Sequence, residues 1–128
     1  MQAVPSLPQE VINAFHLMWG NFPESVSLVH KSRQVMAVNK AMEKQGIVKP
    51  GMTCAKVGSP EAHKGCLANK ALASGEATFV HMPLPGRDGV GFWIPLEGYP
   101  EFFLHFSVGL TMDYKTGQRI EYTIPSAV

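Results

Sequence analysis

A stretch of eleven residues, 102–112, alternates between two kinds of side chain and constrains the fold more than any other feature. Period-two alternation of this kind predicts a long β-strand with one apolar face. Turn-forming residues follow at 113–117, and a second alternating stretch, 118–124, predicts the other arm of an antiparallel hairpin. The apolar side of the first strand consists of Phe102, Leu104, Phe106, Val108, Leu110 and Met112, and its other side of Phe103, His105, Ser107, Gly109 and Thr111. Because an apolar face must be covered, we expect the remaining chain to form the covering layer.

The upstream chain divides into short elements separated by glycine and proline. Apolar residues at helical spacing predict a helix over 9–19 that ends at Gly20. Asn39 has the side chain of a helix N-cap, and Gly46 that of a helix C-cap. The other predicted elements are strands at 26–30, 35–38 and 77–84, helices at 40–45 and 61–74, an irregular or helical piece at 52–57, a turn at 85–89 and an apolar stretch at 90–96.

This order predicts an α+β fold with a curved antiparallel sheet of about five strands, short helices on one face and an additional N-terminal helix. At 128 residues the chain suits a single domain, and we expect a loose tail at 1–8 and one domain over 9–128. A net charge of +1 with both signs mixed gives no basic surface of the kind that binds nucleic acid. No apolar run is long enough for a membrane helix. Two cysteines suit a reducing cytoplasm.

Four segments resemble PAS domains, the small sensor modules of signalling proteins. They are Phe-Pro-Glu-Ser-Val at 22–26, Val-Met-Ala-Val-Asn at 35–39, Lys-Ala-Leu-Ala-Ser-Gly-Glu-Ala at 70–77 and Met-Asp-Tyr-Lys-Thr-Gly-Gln-Arg at 112–119. Their order and spacing carry the resemblance, which covers about residues 9–127. It implies a sensory, non-enzymatic domain that binds a small ligand or mediates protein–protein contacts, with a homodimer and an effector protein as partners.

Two departures from the PAS pattern lead to further expectations. Residues 86–100 are long and rich in proline and glycine, so we expect an extra hairpin or flap there. The usual Asp-Ile-Thr exit is absent, which is consistent either with a piece of a larger sensor or with a protein that works alone by binding partners.

The PAS-like arrangement predicts two surfaces. The first is an apolar ligand pocket under the middle helices, lined by Val38, Met42, Leu67, Ala71, Val80, Leu104, Phe106, Val108 and Tyr122. The second is a dimer interface on the first helix, formed by Val11, Ile12, Phe15, Met18 and Trp19. The alternative for that helix is a lid packed on its own sheet.

Cofactor chemistry has four candidate forms. Cys54, His63 and Cys66 offer soft ligands for a metal, although their spacing matches no standard zinc pattern. The two cysteines could instead form a reversible, redox-sensing disulfide. His63 lies on the helix from which heme-binding PAS sensors take their axial ligand. Gly51-Met52-Thr53-Cys54 resembles the cysteine motif of LOV flavin sensors, but the residues at 55–58 do not match.

The remaining histidines and the enzymatic motifs carry weaker signals. We expect His105 to face solvent or a subunit interface, the face of His81 stays open, and His16 and His30 are expected to be structural. No serine or cysteine nucleophile motif appears, and the glycine-rich residues 86–91 read as a turn. A small cone-shaped enzyme or ligand carrier is the opposing hypothesis.

Overall fold

The structure, a computed structural model, describes residues 6–54 and 66–121. Within this part of the chain no helix is long and apolar enough to cross a membrane. The helices are α1 (Gln9–Trp19), α2 (Lys40–Gln45) and α3 (Ala68–Ser74). The strands are β1 (Val26–His30), β2 (Val35–Val38), β3 (Thr78–Leu84), β4 (Arg87–Leu96), β5 (Tyr99–Val108), β6 (Met112–Asp113) and β7 (Gln118–Arg119).

Five strands form one antiparallel sheet in the order β2-β1-β5-β4-β3, and β6 pairs with β7 in a separate two-stranded sheet. Strand β5 lies in the centre of the large sheet, where Phe103 is opposite both Val29 of β1 and Pro95 of β4. The predicted α+β class with a five-stranded antiparallel sheet is confirmed.

The outer face of the sheet is the side on which Phe102, Leu104 and Phe106 of β5 lie. Phe15 of α1 packs against these residues and is itself buried. Aromatic rings extend the contact, since the Phe106 ring lies 5.1 Å from both Trp19 and Phe92. The apolar side of the 102–112 pattern is therefore covered by the N-terminal helix, and the prediction that the middle helices cover it is wrong.

The opposite side of the sheet is covered by α3. Ala68 and Ala71 of this helix are fully buried against Val29, Trp93 and Phe103. Two alanines allow the helix axis to lie close to the sheet, because neither side chain holds the two layers apart. We call this side the helix-side face; it carries Ser27, Val29, Thr78, Val80, Gly91, Trp93, Phe103, His105 and Ser107, as strand alternation and cross-strand register require.

The predicted final hairpin is wrong in its extent. Strand β5 ends at Val108 and pairs with β4 and β1 rather than with residues 118–124. Gly109 ends the strand with φ +88°, and a Cβ at this position would collide with the backbone oxygen of Asp88. Only a glycine fits both requirements. The second arm contributes Gln118–Arg119 as a strand, and residues 122–124 lie outside the described part.

The expectation of an extra hairpin or flap at 86–100 is also wrong. Most of these residues form β4, which pairs with β3 and β5 and is bounded by two tight turns at 85–86 and 97–98. Gly86 and Gly98 supply the positive φ values, +73° and +81°, that such short turns require.

The predicted helix 61–74 is shorter where the structure describes it. Cys66 and Leu67 are not helical, and α3 begins at Ala68. The Leu67 carbonyl accepts hydrogen bonds from the Thr78 hydroxyl and from the Ala71 amide, so Leu67 connects the first turn of α3 to the start of β3.

The N-terminal tail was expected to be loose over residues 1–8. Leu7, however, packs against the core under α1.

Asn39 connects α1, β1 and α2 through one buried side chain. Its Oδ1 accepts hydrogen bonds from the amides of Val26 (2.9 Å) and Met42 (3.1 Å), which caps α2 as predicted. Its Nδ2 donates to the carbonyls of Trp19, Phe22 and Glu24. The end of α1, the start of β1 and the start of α2 are thereby fixed to one another.

Glu24 forms a second buried connection, between the start of β1 and the segment after β5. It is 1% exposed, and its carboxylate accepts from the amides of Gly109 and Thr111, both at 2.6 Å. The hydroxyls of Thr111 (3.0 Å) and Tyr114 (2.8 Å) donate to the same carboxylate. Four donors thus compensate for the burial of this charge.

Tyr114 is predicted to titrate late because of this contact. Burial, together with the hydrogen bond to Glu24, raises the pKa of Tyr114 to about 12. The phenol is therefore neutral in the folded chain up to a higher pH than in the unfolded chain, and the stability it confers is lost as pH rises from about 10 towards about 12. Absorbance titration of phenolate should reveal one such component, which Tyr114→Phe removes. A wild-type titration without it would contradict the contact.

Candidate functional site

The helix-side face combines aromatic side chains with polar groups on a covered surface. His105 stacks on Trp93, with ring centroids 4.8 Å apart and planes 12° from parallel. The imidazole Nδ1 lies 2.9 Å from the Phe92 carbonyl, and because a carbonyl only accepts, Nδ1 carries the proton in this contact. The stack and the hydrogen bond together hold the ring in one orientation.

Strand β4 contributes two glycines to this face, and side chains from the neighbouring strands lie over both of them. A Cβ at Gly91 would lie 3.5 Å from both Ser107 Oγ and Val80 Cγ1, so these side chains stand over the bare backbone. Gly89 is similarly covered by Leu84 and Met82. Neighbouring side chains therefore occupy the space that a side chain at position 89 or 91 would need.

Arg33 closes one edge of the helix-side face. Its guanidinium lies 5.5 Å from the centroid of the Phe103 ring, within the range of a cation–π contact. The same group donates to Asn69 of α3 and to the Lys31 carbonyl. The positively charged guanidinium of Arg33 is thus held where the β1–β2 turn meets α3.

The predicted pocket residues do not line one site. Leu67, Ala71 and Val80 lie on the helix side. Leu104, Phe106 and Val108 lie on the outer face, against α1. Val38 is buried in β2, Met42 is half-buried in α2, and Tyr122 lies outside the described residues. The prediction failed because it assigned the more apolar side of β5 to the pocket, whereas that side packs on α1.

The predicted dimer residues divide in the same way. Phe15 is buried in the core under α1, with Ile12 and Trp19 packed beside it, so this part of the helix is a lid on its own sheet. Val11 is half-buried. Met18 is 70% exposed, and its neighbour Leu17, which the sequence did not single out, is 86% exposed.

The metal and redox prediction remains a prediction. Cys54 is half-buried and packs against the buried residues under α3, Cys66 is exposed, and no disulfide joins the two in this structure. His63 lies outside the described residues. Among the residues 6–54 and 66–121, no three metal-ligating side chains come together.

The other histidines are placed as follows. His105 is half-buried and stacks on Trp93 on the helix-side face rather than pointing freely into solvent, while its expected place at a subunit interface remains a prediction. His81 is exposed and lies 2.9 Å from Asp88. His16 is exposed on α1, while His30 is 9% exposed at the end of β1 and contacts Glu101.

A second concavity lies on the outer side, between α1, β2 and the residues after α2. Its volume is about 470 Å³, and it is lined by Ile12, His16, Met36, Ala37, Val38, Glu43, Val48, Lys49 and Pro50. It is half open to solvent, and α1 contributes one of its walls.

The strand order and the helix placement define an α+β fold with a five-stranded antiparallel sheet, and solved structures share this fold. A domain of an HTR-like protein from Haloarcula marismortui matches with a TM-score of 0.53 and 22% identity, over 66% of this chain and 95% of that one. The PAS domain of Bordetella pertussis BvgS matches with a TM-score of 0.56 and 15% identity, over 84% and 91%.

A sensory box sensor histidine kinase from Vibrio cholerae gives a TM-score of 0.55 at 15% identity, over 78% of this chain and 88% of that one. No protein-family model matches this sequence, and no curated protein does. The chain has the PAS fold, as the sequence predicted.

Proposed function

We propose that this chain is a sensory domain of a signal-transduction protein that binds a small ligand on the helix-side face, beside α3. The main support is the stacked pair of His105 and Trp93, which places a polar group with a fixed orientation among apolar side chains. Small-molecule sites are typically apolar surfaces with a few fixed polar anchors. Ser107, next to Gly91 on the same face, offers a second anchor.

A ligand in this position would act on signalling by changing how α3 packs. Because Ala68 and Ala71 contact the sheet directly, a molecule that binds beside them favours whichever α3 position accommodates it. Binding then shifts the population of that arrangement. An effector protein would bind differently to the surface that the shifted α3 presents. We further propose a cytoplasmic setting for this role, because two cysteines are too few for a disulfide scaffold and suit a reducing compartment.

Native mass spectrometry of gently purified protein tests this proposal. We expect the wild type to retain a small molecule and His105→Leu to lose it, because leucine removes the polar anchor. His81→Leu is the matched control, since His81 lies on an exposed strand position away from the site. A wild type without a bound molecule, or retention in His105→Leu, would refute the proposed site.

The exposed apolar side chains of α1 support a homodimer as the second proposed property. Leu17 and Met18 present adjacent apolar surface on one helix, and Phe79 on β3 is also 67% exposed. Exposed apolar surface of this kind marks contacts between proteins. A second copy of the chain offers a surface of the same character.

We predict that the double variant Leu17→Glu, Met18→Glu converts the dimer into a monomer, since two carboxylates would meet two others across a two-fold interface. Light scattering measures the change. Ala73→Glu adds a carboxylate at an exposed position of α3, away from Leu17 and Met18 on α1, and should leave the dimer intact. A wild type that is already a monomer would disprove the homodimer.

A further inference from the structure

The turn between β1 and β2 brings a serine, a histidine and a carboxylate into a linear hydrogen-bonded arrangement. Ser32 Oγ lies 2.9 Å from His30 Nδ1, and His30 Nε2 lies 3.2 Å from Glu101 Oε2. A hydroxyl within hydrogen-bond reach of a base that a third group orients is the general signature of an activated nucleophile. Neither His30 nor Ser32 belongs to the helix-side face described above.

The hydrogen-bond partners of His30 assign its tautomer. The Ser32 backbone amide donates to Nδ1 at 3.1 Å, and an amide can only donate, so Nδ1 carries the lone pair. The ring proton is then on Nε2 and points at the Glu101 carboxylate. The lone pair of Nδ1 therefore faces the Ser32 hydroxyl, as a general base requires.

The positions of both partners of His30 are fixed. Lys31 Nζ binds the other carboxylate oxygen of Glu101 at 3.2 Å, which leaves Oε2 for the imidazole. The hydrogen bond from His30, followed by the contact with Lys31, lowers the pKa of Glu101, so its carboxylate stays ionised to more acidic pH. The His30 ring also packs edge-on against Phe102, at 5.0 Å between centroids.

The turn itself is held in shape by Arg33. The backbone of this residue has φ +78°, a conformation that residues other than glycine rarely adopt. Its guanidinium is tied to the Lys31 carbonyl and to Asn69, which offsets the cost of that conformation. The Gln34 amide donates to Ser32 Oγ at 3.3 Å and would stabilise negative charge that develops on the oxygen.

We propose that Ser32 is a nucleophilic modification site that accepts an acyl group from an activated ester or thioester. The Ser32 oxygen forms a bond to the acyl carbon, and the bond from that carbon to the alcohol or thiol leaving group breaks. The hydroxyl proton passes to His30 Nδ1 and from there to the leaving group. Ser32 is exposed, so the donor reaches it without any opening of the fold.

A fluorophosphonate probe on the full chain tests this proposal, because it reacts with the same nucleophile and leaves a stable adduct. The oxygen–phosphorus bond forms, fluoride leaves, and the proton goes to His30. Peptide mapping by mass spectrometry should find Ser32 labelled at least about tenfold faster than Ser25, which contacts an amide instead of a histidine.

Variants of Glu101 test whether the hydrogen bonds among Ser32, His30 and Glu101 cause the reactivity of Ser32. Glu101 is exposed, so it can be changed without disturbing the core. Glu101→Gln should slow labelling of Ser32 about tenfold, and Glu101→Asp, which keeps the charge, should retain part of the rate. His30→Gln should abolish the enhancement, with its melting curve checking that it folds. Absence of label at Ser32, or equal labelling in Glu101→Gln, would overturn the proposal.

Discussion

Replacement of Glu24 by glutamine is expected to destabilise the chain more than any other single change of a charged residue in the described part. The carboxylate accepts four hydrogen bonds, two of them from backbone amides that have no alternative partner in the same position. Glutamine offers a single acceptor oxygen and places an NH₂ group against the remaining donors. Hydrogen bonds to charged groups contribute about 1.5–3 kcal/mol each, and an unsatisfied buried donor costs about 1–3 kcal/mol.

We therefore expect Glu24→Gln to lower the free energy of unfolding by about 3 kcal/mol or more. For a domain of this size the melting temperature should fall by roughly 10 °C. Glu76→Gln makes the same chemical change at an exposed position and should leave the melting temperature within about 1–2 °C of wild type. A small shift for Glu24→Gln, comparable with that control, would contradict the buried network.

Asn39→Asp is expected to lower the free energy of unfolding by a similar amount, because it introduces a buried negative charge where Glu24→Gln removes one. The Nδ2 group donates to three carbonyl oxygens, and aspartate would place a carboxylate oxygen against all three. The acceptor Oδ1 is retained, so the cap of α2 alone cannot account for the loss. Because Asn39 is 1% exposed, water cannot compensate for the repulsion.

The expected loss is about 3–5 kcal/mol, as for a buried charge left without a partner. Chemical denaturation measures it, with Asn13→Asp on the exposed side of α1 as the control. A further consequence distinguishes repulsion from a lost cap. Asn39→Ser retains a capping oxygen and should be less destabilising than Asn39→Asp. The reverse order would refute this account of the Asn39 contacts.

Elements whose signals are local in the sequence were predicted well. Asn39 and Gly46 begin and end α2 as expected, because a cap acts within a few residues of its helix. The bounds of α1, β1 and β2 agree for the same reason, since proline, glycine and periodicity act locally.

The assignment of the two faces of β5 could not be predicted. Alternation separates Phe106 from His105 but contains no information about which helix covers which side. The most apolar side was assigned to the ligand pocket, whereas it packs on α1. His105 was therefore expected to face outwards, although it stacks on Trp93 on the helix-side face. The presence of Phe103 among the polar residues of that side was the available signal.

Contacts between positions far apart in the sequence could not be predicted either. Glu24 and Thr111 are 87 positions apart, and His30 and Glu101 are 71 apart. Each pair depends on the register of β1 against β5, which is set by the whole sheet. Single-residue chemistry identified none of the four as partners.

We propose that the small ligand binds on the helix-side face and not on the outer face. The chain's two tryptophans report on the two sides, Trp93 on the helix side and Trp19 on the outer side. We would compare the two indole N–H resonances of ¹⁵N-labelled protein as purified and after unfolding, removal of small molecules and refolding. The account predicts that the Trp93 resonance shifts and the Trp19 resonance shifts less. A shift confined to Trp19, or no shift at either indole, would contradict it.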